Sequence, residues 1–82
     1  MATLLREVML SWDAVPNANT YNLYGSTEPG VTRYTGKKIA GIAPPYRFAR
    51  VENGQTYYFV VTAVSGAGES SESAEIVYRA GL

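Results

Sequence analysis

Residues 51–64 read VENGQTYYFVVTAV, and this run carries the clearest structural signal in the chain. From Tyr57 onward the side chains fall into two alternating sets, one of which contains Phe59 and Val61. Because successive side chains of a β-strand point to opposite faces of its sheet, the run predicts a long strand. The residues just before it, 52–55, contain Asn and Gly and are typical of a tight connection.

Shorter segments on both sides repeat this alternation. They predict further strands at residues 7–12, 21–24, 31–34, 46–51 and 74–79. Lys37 and Lys38 are typical of edge charges that discourage the addition of another strand. Loops rich in Pro, Gly, Asn and Ser separate the strands, at residues 13–20, 25–30, 41–45 and 65–71. No stretch has a sustained helical period, and about seven short strands predict an all-β, seven-stranded antiparallel β-sandwich.

Size and composition limit the remaining choices. The 82 residues predict a single domain that spans residues 1–82. Cys is absent, which excludes disulfides and thiolate metal sites, so packing among the 46% of residues that are hydrophobic must hold the core. Seven basic and seven acidic residues cancel, whereas nucleic-acid binding normally comes with a basic excess. No apolar run approaches the ~20 residues of a membrane span. We therefore expect neither nucleic-acid binding nor membrane insertion.

The sequence does not predict an enzyme. It contains no His and no Cys, which excludes Ser-His-Asp and Cys-His chemistry and the metal sites that need these ligands. Asp13 is the only Asp, whereas a calcium site needs several clustered oxygen ligands. The late acids Glu69, Glu72 and Glu75 are typical of solvated strand faces, and in a regular strand Glu72 and Glu75 lie on opposite sides. We assign no catalytic residue, cofactor-binding residue or metal ligand, and expect no cofactor.

Three segments resemble the fibronectin type III family. LSWDAVP, residues 10–16, is similar to the family's second strand, where a Trp enters the core before a Pro-containing loop. YNLY, residues 21–24, is like the third strand, and residues 51–64 match the hydrophobic anchor, turn, tyrosine and alternating strand of the family. The resemblance covers about residues 7–79, and residues 1–6 are expected to form a short or poorly ordered first strand. No Arg-Gly-Asp sequence is present to support integrin binding.

The alternation and the resemblance together predict the core. Its structural residues are Trp12, Tyr21, Leu23, Val51, Tyr57, Phe59 and Val61. We expect Trp12 to fill the centre between the two sheets. Tyr57 is predicted to form a tyrosine corner, with its hydroxyl bonded to the backbone near Val51, because a buried phenol needs a hydrogen-bond partner.

The resemblance implies a non-catalytic module that acts as a spacer or interaction domain of a larger protein, secreted or at the cell surface. A rigid sandwich with its termini at opposite ends would connect in series with neighbouring domains. A cytoplasmic adaptor is the less favoured alternative, since the sequence starts with Met1 and contains no signal peptide. Partners would be neighbouring domains or other proteins, and the chain would be monomeric or weakly self-associating.

The alternative is a domain that binds a protein or a polysaccharide directly. One candidate surface is the end that carries the loops at 13–20, 41–45 and 65–71. The other is the outward face of the sheet, where the candidate contact residues are Tyr24, Tyr34, Tyr58, Val60 and Val77. Outward aromatics on adjacent strands also stabilise a sheet by pairing with each other, whereas a contiguous exposed apolar patch often marks an interface. The sequence is compatible with both cross-strand pairing and a contact surface.

Overall fold

The computed structural model of the chain describes residues 5–52 and 54–79. The strands are β1 (Leu5–Leu10), β2 (Thr20–Ser26), β3 (Lys37–Ile42), β4 (Tyr46–Glu52), β5 (Thr56–Ser65), β6 (Gly68–Glu69) and β7 (Ile76–Arg79). The described residues contain no helix, and so none that is long and apolar enough to cross a membrane.

Two antiparallel sheets make up the fold. One contains β1 and β4, and the other has the order β3-β2-β5, with β6 and β7 both paired to the far edge of β5. The predicted all-β antiparallel sandwich is therefore confirmed. Leu5 and Arg6 already belong to β1, where they pair with Glu52 and Val51, and the rest of the predicted first strand, residues 1–4, lies outside the described residues.

The described chain enters and leaves the sandwich at the same end. Leu5 pairs with Glu52 and Arg79 pairs with Thr56, and these two partners flank one short turn. The two ends of the chain, expected at opposite ends of the sandwich, lie outside the described residues.

The strand predicted at residues 31–34 is wrong. The backbone turns there instead, because Thr35 N–H and Gly36 N–H both donate to the carbonyl of Thr32, at 3.2 and 2.9 Å. The strand begins at Lys37, and Lys37 and Lys38 are exposed on β3, which is an edge strand as predicted. The loop predicted at residues 65–71 is also partly wrong, because β5 and β6 form a hairpin that places Gly68 opposite Ser65.

The main core lies between the sheets. It contains the buried side chains of Leu10, Tyr21, Leu23, Phe59, Val61 and Ala63, and Val51 is fully buried as well. Trp12 does not fill the centre as expected. It follows the end of β1 and lies half-buried against the core, with its ring edge-on to that of Tyr21 at 5.6 Å between centroids.

Two tyrosine hydroxyls fix turns at opposite ends of the sandwich. The Tyr57 hydroxyl accepts a hydrogen bond from the backbone N–H of Glu52 at 2.8 Å, which confirms the predicted tyrosine corner next to Val51. The Tyr21 hydroxyl accepts from the N–H of Val15 at 2.7 Å, a bond that the sequence did not predict. Each bond gives the hydroxyl of a buried or half-buried Tyr the polar partner that it needs.

Candidate functional site

The face of the five-stranded sheet that points away from the core is called here the outer face. Tyr24 lies opposite Val60 across β2 and β5, and Tyr58 lies opposite Val77 across β5 and β7. Tyr24, Val60 and Tyr58 pack in a second apolar cluster, separate from the main core. The predicted position of these side chains on one outward face is therefore correct.

The predicted exposure of the outer face is wrong at its centre. Tyr24 is 2% exposed and Val60 is 4% exposed. The reason is that residues 27–36, called here the covering loop, fold over them and place the buried side chain of Val31 in the same cluster. Sequence periodicity gives the side of a sheet on which a residue lies, but not which loop folds over it.

The edge of the predicted contact surface stays open to solvent. Tyr34, on the covering loop, is 89% exposed, and Val77, on β7, is 59% exposed. Tyr58 pairs with Val77 across β5 and β7 and is half-buried against the cluster. The available part of this surface is thus the covering loop and the β7 edge rather than the Tyr24–Val60 pair, and its role in contact stays a prediction.

Three glutamates hold the covering loop, and they are called here the glutamate clasp: Glu69, Glu72 and Glu75. The guanidinium of Arg33 lies 3.3 Å from Glu69 and 3.9 Å from Glu72. Glu72 also accepts from the backbone N–H of Arg33, and Glu75 accepts from the N–H of Gly30 at 2.9 Å. Glu69 and Glu75 are exposed, as expected of solvated acids, but each of the three glutamates also binds a group of the covering loop.

An irregular strand edge brings the three glutamates together. Ser70 and Ser73 each pair with β5 through two bonds, in which the backbone N–H donates to a carbonyl and the hydroxyl accepts from an N–H. Their partners, Ala63 and Val61, are two residues apart, whereas the serines are three apart, so the segment carries an extra residue as a β-bulge does. The three-residue spacing replaces regular alternation, and Glu72 and Glu75 no longer lie on opposite sides.

Glu69 also satisfies polar groups within the sheet. Its carboxylate accepts from the Asn22 amide at 3.1 Å, from the Tyr24 hydroxyl at 2.5 Å and from the Thr62 hydroxyl. Asn22 and Thr62 are buried polar side chains, which need such partners. The sequence did not predict this network. Asn22 and Thr62 are ordinary strand residues in the sequence pattern, and Glu69 lies 47 and 7 positions away from them along the chain.

The network changes the acidity of both its titratable members. Hydrogen bonds from Thr62, Tyr24 and Asn22, with a smaller contribution from Arg33, lower the pKa of Glu69 to about 2 against the opposing effect of desolvation. Burial, followed by the neighbouring Glu69 carboxylate, raises the pKa of Tyr24 above 10. A carboxylate that stays ionised and is occupied by donors suits a structural clamp rather than proton transfer near neutral pH.

The end loops form the second predicted surface. Leu10 pairs with Tyr46 and Thr20 with Val64, so the connections that follow β1, β3 and β5 lie at one end of the sandwich. That shared position was predicted. Among the described residues, no group of three His, Cys, Asp or Glu side chains is placed to hold a metal ion.

Comparison with known proteins identifies the family. No family model matches the chain. The fold is similar to the crystal structure of a Fn3-like protein from Clostridium thermocellum, with a TM-score of 0.69, 36% sequence identity and coverage of 87% of this chain and 73% of that one. The chain belongs to the Fn3-like family. This confirms the resemblance that the sequence segments carry.

A second relative is a longer protein. The Fn3-like chain is 38% identical over 77 residues to a poly(3-hydroxybutyrate) depolymerase from Ralstonia pickettii. The aligned region is 92% of this chain but 14% of the depolymerase, so the chain spans about one seventh of that protein's length. The Fn3-like chain is thus similar to one part of a much longer protein, which fits a non-catalytic domain.

Proposed function

We propose that this Fn3-like chain is a non-catalytic module of a larger extracellular protein that spaces or positions the domains beside it. The observation that carries the proposal is the alignment with the depolymerase. It covers 92% of this chain but only 14% of that enzyme, as expected for one module of a longer protein. The clasp supports it, since Glu69, Glu72 and Glu75 are engaged in holding the covering loop. The extracellular setting is the part of the proposal that rests on the family resemblance.

The first test measures hydrolysis and polymer binding by the purified chain. The substrates are a soluble butyrate ester and a suspension of poly(3-hydroxybutyrate) particles, and bound chain is measured by co-sedimentation. We expect no hydrolysis above a buffer control and no more co-sedimentation than an unrelated protein of similar size. Ester hydrolysis that co-purifies with the folded chain and is lost in Glu72→Gln would overturn the proposal.

The second candidate function is direct binding through the covering loop. Tyr34 is 89% exposed, yet its backbone is braced. Its N–H donates to the Thr32 hydroxyl at 3.1 Å, and the N–H of Thr32 donates to the Thr35 hydroxyl at 3.0 Å. An exposed Tyr on an ordered loop loses little entropy on binding, and Tyr is enriched among residues that dominate interfaces. A protein, a second copy of the chain or a polysaccharide are the partners expected there.

Amide NMR spectra distinguish the two candidates. They are recorded over a concentration series of the chain, and then with a panel of soluble polysaccharides. Shifts confined to Tyr34, Val77 and their neighbours would favour a contact surface, and Tyr34→Ser should abolish them while leaving the other resonances in place. Glu28→Gln, on the same loop but outside the clasp, is the matched control. Spectra that do not change in either series would favour the spacer.

A further inference from the structure

A small apolar cleft opens between the two sheets on the side where β3 and β4 face each other. Its volume is about 150 Å³, and it is lined mainly by Leu23, Ile39, Phe48, Tyr57 and Phe59. β3 and β4 follow one another in the chain but belong to different sheets, so no strand pairing closes the gap between them. The exposed residues of the lining include Lys37, which places the mouth of the cleft at the start of β3.

Packed aromatic rings form the floor of the cleft. The Phe59 ring is fully buried and stands edge-on to Phe48 at 5.1 Å between centroids and stacked on Tyr57 at 6.4 Å. Gly25 lies beside the floor, and a Cβ there would come within 3.1 Å of the Phe59 ring. A cavity of roughly this volume with apolar walls is known to bind benzene in another protein. The cleft therefore has room for a hydrocarbon group of about four to six carbons.

The mouth carries an unused positive charge. Lys37 is the charged residue among the described residues that line the cleft, and within the described part of the chain it forms no ion pair. A lysine stem lies readily along apolar surface while its ammonium stays in water. An apolar interior with a lysine at its rim is complementary to a molecule with a short hydrocarbon tail and an anionic head.

We propose that this cleft binds short aliphatic carboxylates, with the hydrocarbon tail against Phe48 and Phe59 and the carboxylate at the Lys37 ammonium. The class includes short fatty acids and hydroxy acids. The carboxylate stays at the mouth in water, so its desolvation is small, and burial of the tail supplies most of the affinity. The proposal rests on the cleft alone and stands whether the module is a spacer or a contact domain.

The test is an NMR titration of the chain with butanoate, pentanoate and hexanoate. We expect shifts at the methyl groups of Leu23 and Ile39 and at the Phe48 ring, with affinity rising about fourfold for each added methylene. Lys37→Gln should weaken pentanoate binding about two- to fivefold and leave the binding of 1-pentanol unchanged. Lys38→Gln is the matched control, because its side chain points to the opposite face of β3 and should have no effect.

Three results would overturn the proposal. The first is the absence of shifts at Leu23, Ile39 and Phe48 with pentanoate at tens of millimolar, in spectra that show the folded chain. The second is 1-pentanol binding as tightly as pentanoate, which would leave Lys37 without a role. The third is equal weakening by Lys37→Gln and Lys38→Gln, which would indicate a general effect of surface charge. None of these outcomes bears on the tests of catalysis and polymer binding.

Discussion

The two faces of the five-stranded sheet are buried in different ways. On the inner face, Leu23 and Phe59 are buried among other apolar side chains between the sheets. On the outer face, Tyr24 and Val60 are buried under a loop that contributes a single buried side chain, Val31, to their cluster. That loop is held by carboxylates. The inner face thus depends on apolar area, whereas the outer face depends on charge and hydrogen bonds.

The largest effect should come from the inner face. Phe59→Ala removes a fully buried ring at the contact of β5 with β4 and should cost about 3–5 kcal/mol, the usual range for Phe→Ala in a core. A domain of this size has little stability to spare, so we expect a largely unfolded chain. Circular dichroism with urea titration measures it. Val77→Ala, at an exposed position, is the control and should stay within about 0.5 kcal/mol, and similar midpoints for the two variants would contradict the contrast.

The outer face should respond to a single methyl group in the covering loop. A Cβ at Gly36 would lie 2.7 Å from the Val31 side chain and 3.0 Å from Tyr24. Gly36→Ala should therefore cost about 1–3 kcal/mol by overpacking and displace the loop from Tyr24, which urea unfolding and the amide shifts of Tyr24 and Arg33 will show. Gly66→Ala is the matched control, because a Cβ there meets no atom within 4 Å. Equal unfolding midpoints for the two variants would mean that the loop does not pack as described.

The inner face was predictable from the sequence because its signal is local. The alternation of Tyr57, Phe59 and Val61 gives both the strand and the side that faces the core, and the turn before it gives the tyrosine corner. Trp12 shows the limit of this reasoning. Alternation gives its side correctly, because it packs against the core, but its position past the end of β1 leaves it half-buried rather than at the centre.

The clasp was not predictable because every one of its contacts is long-range. Gly30 meets Glu75 across 45 residues, and Arg33 meets Glu72 across 39. Their side-chain types fit a solvated surface equally well. The spacing of the serines that present the glutamates is visible in the sequence, but it becomes informative only once β5 is known to be their partner.

A smaller effect is expected at the tyrosine corner, on the inner side of β5. Tyr57→Phe removes the acceptor of the Glu52 N–H and should cost about 1 kcal/mol with no change of fold, measured as a lower urea midpoint at unchanged slope. Tyr58→Phe is the control. Its hydroxyl forms no hydrogen bond within the described part of the chain, so we expect no measurable change, and equal loss in the two variants would contradict the role of the corner.

The most gradual effect is a selective loosening of the outer face by acid. Because the pKa of Glu69 is about 2 in the folded chain and near 4.5 in the unfolded one, the unfolded chain binds more protons between these values. Stability therefore falls as the pH falls from 4.5 towards 2. Tyr24 has the opposite sign, since its raised pKa makes its contribution decline as the pH rises beyond 10.

Hydrogen exchange between pH 5 and pH 2.5 locates this loss, once the intrinsic pH dependence of exchange is subtracted. Protection should decline first in the covering loop, at the amides of Gly30 and Arg33, because the Arg33 guanidinium is paired with Glu69, while the amides of β5 residues whose side chains face the core keep theirs. Glu69→Gln should flatten the pH dependence, because the substituted side chain no longer titrates, and Glu28→Gln should leave it unchanged. Simultaneous loss of protection on both faces would contradict the separation, since it would mean that the clasp opens only when the core unfolds.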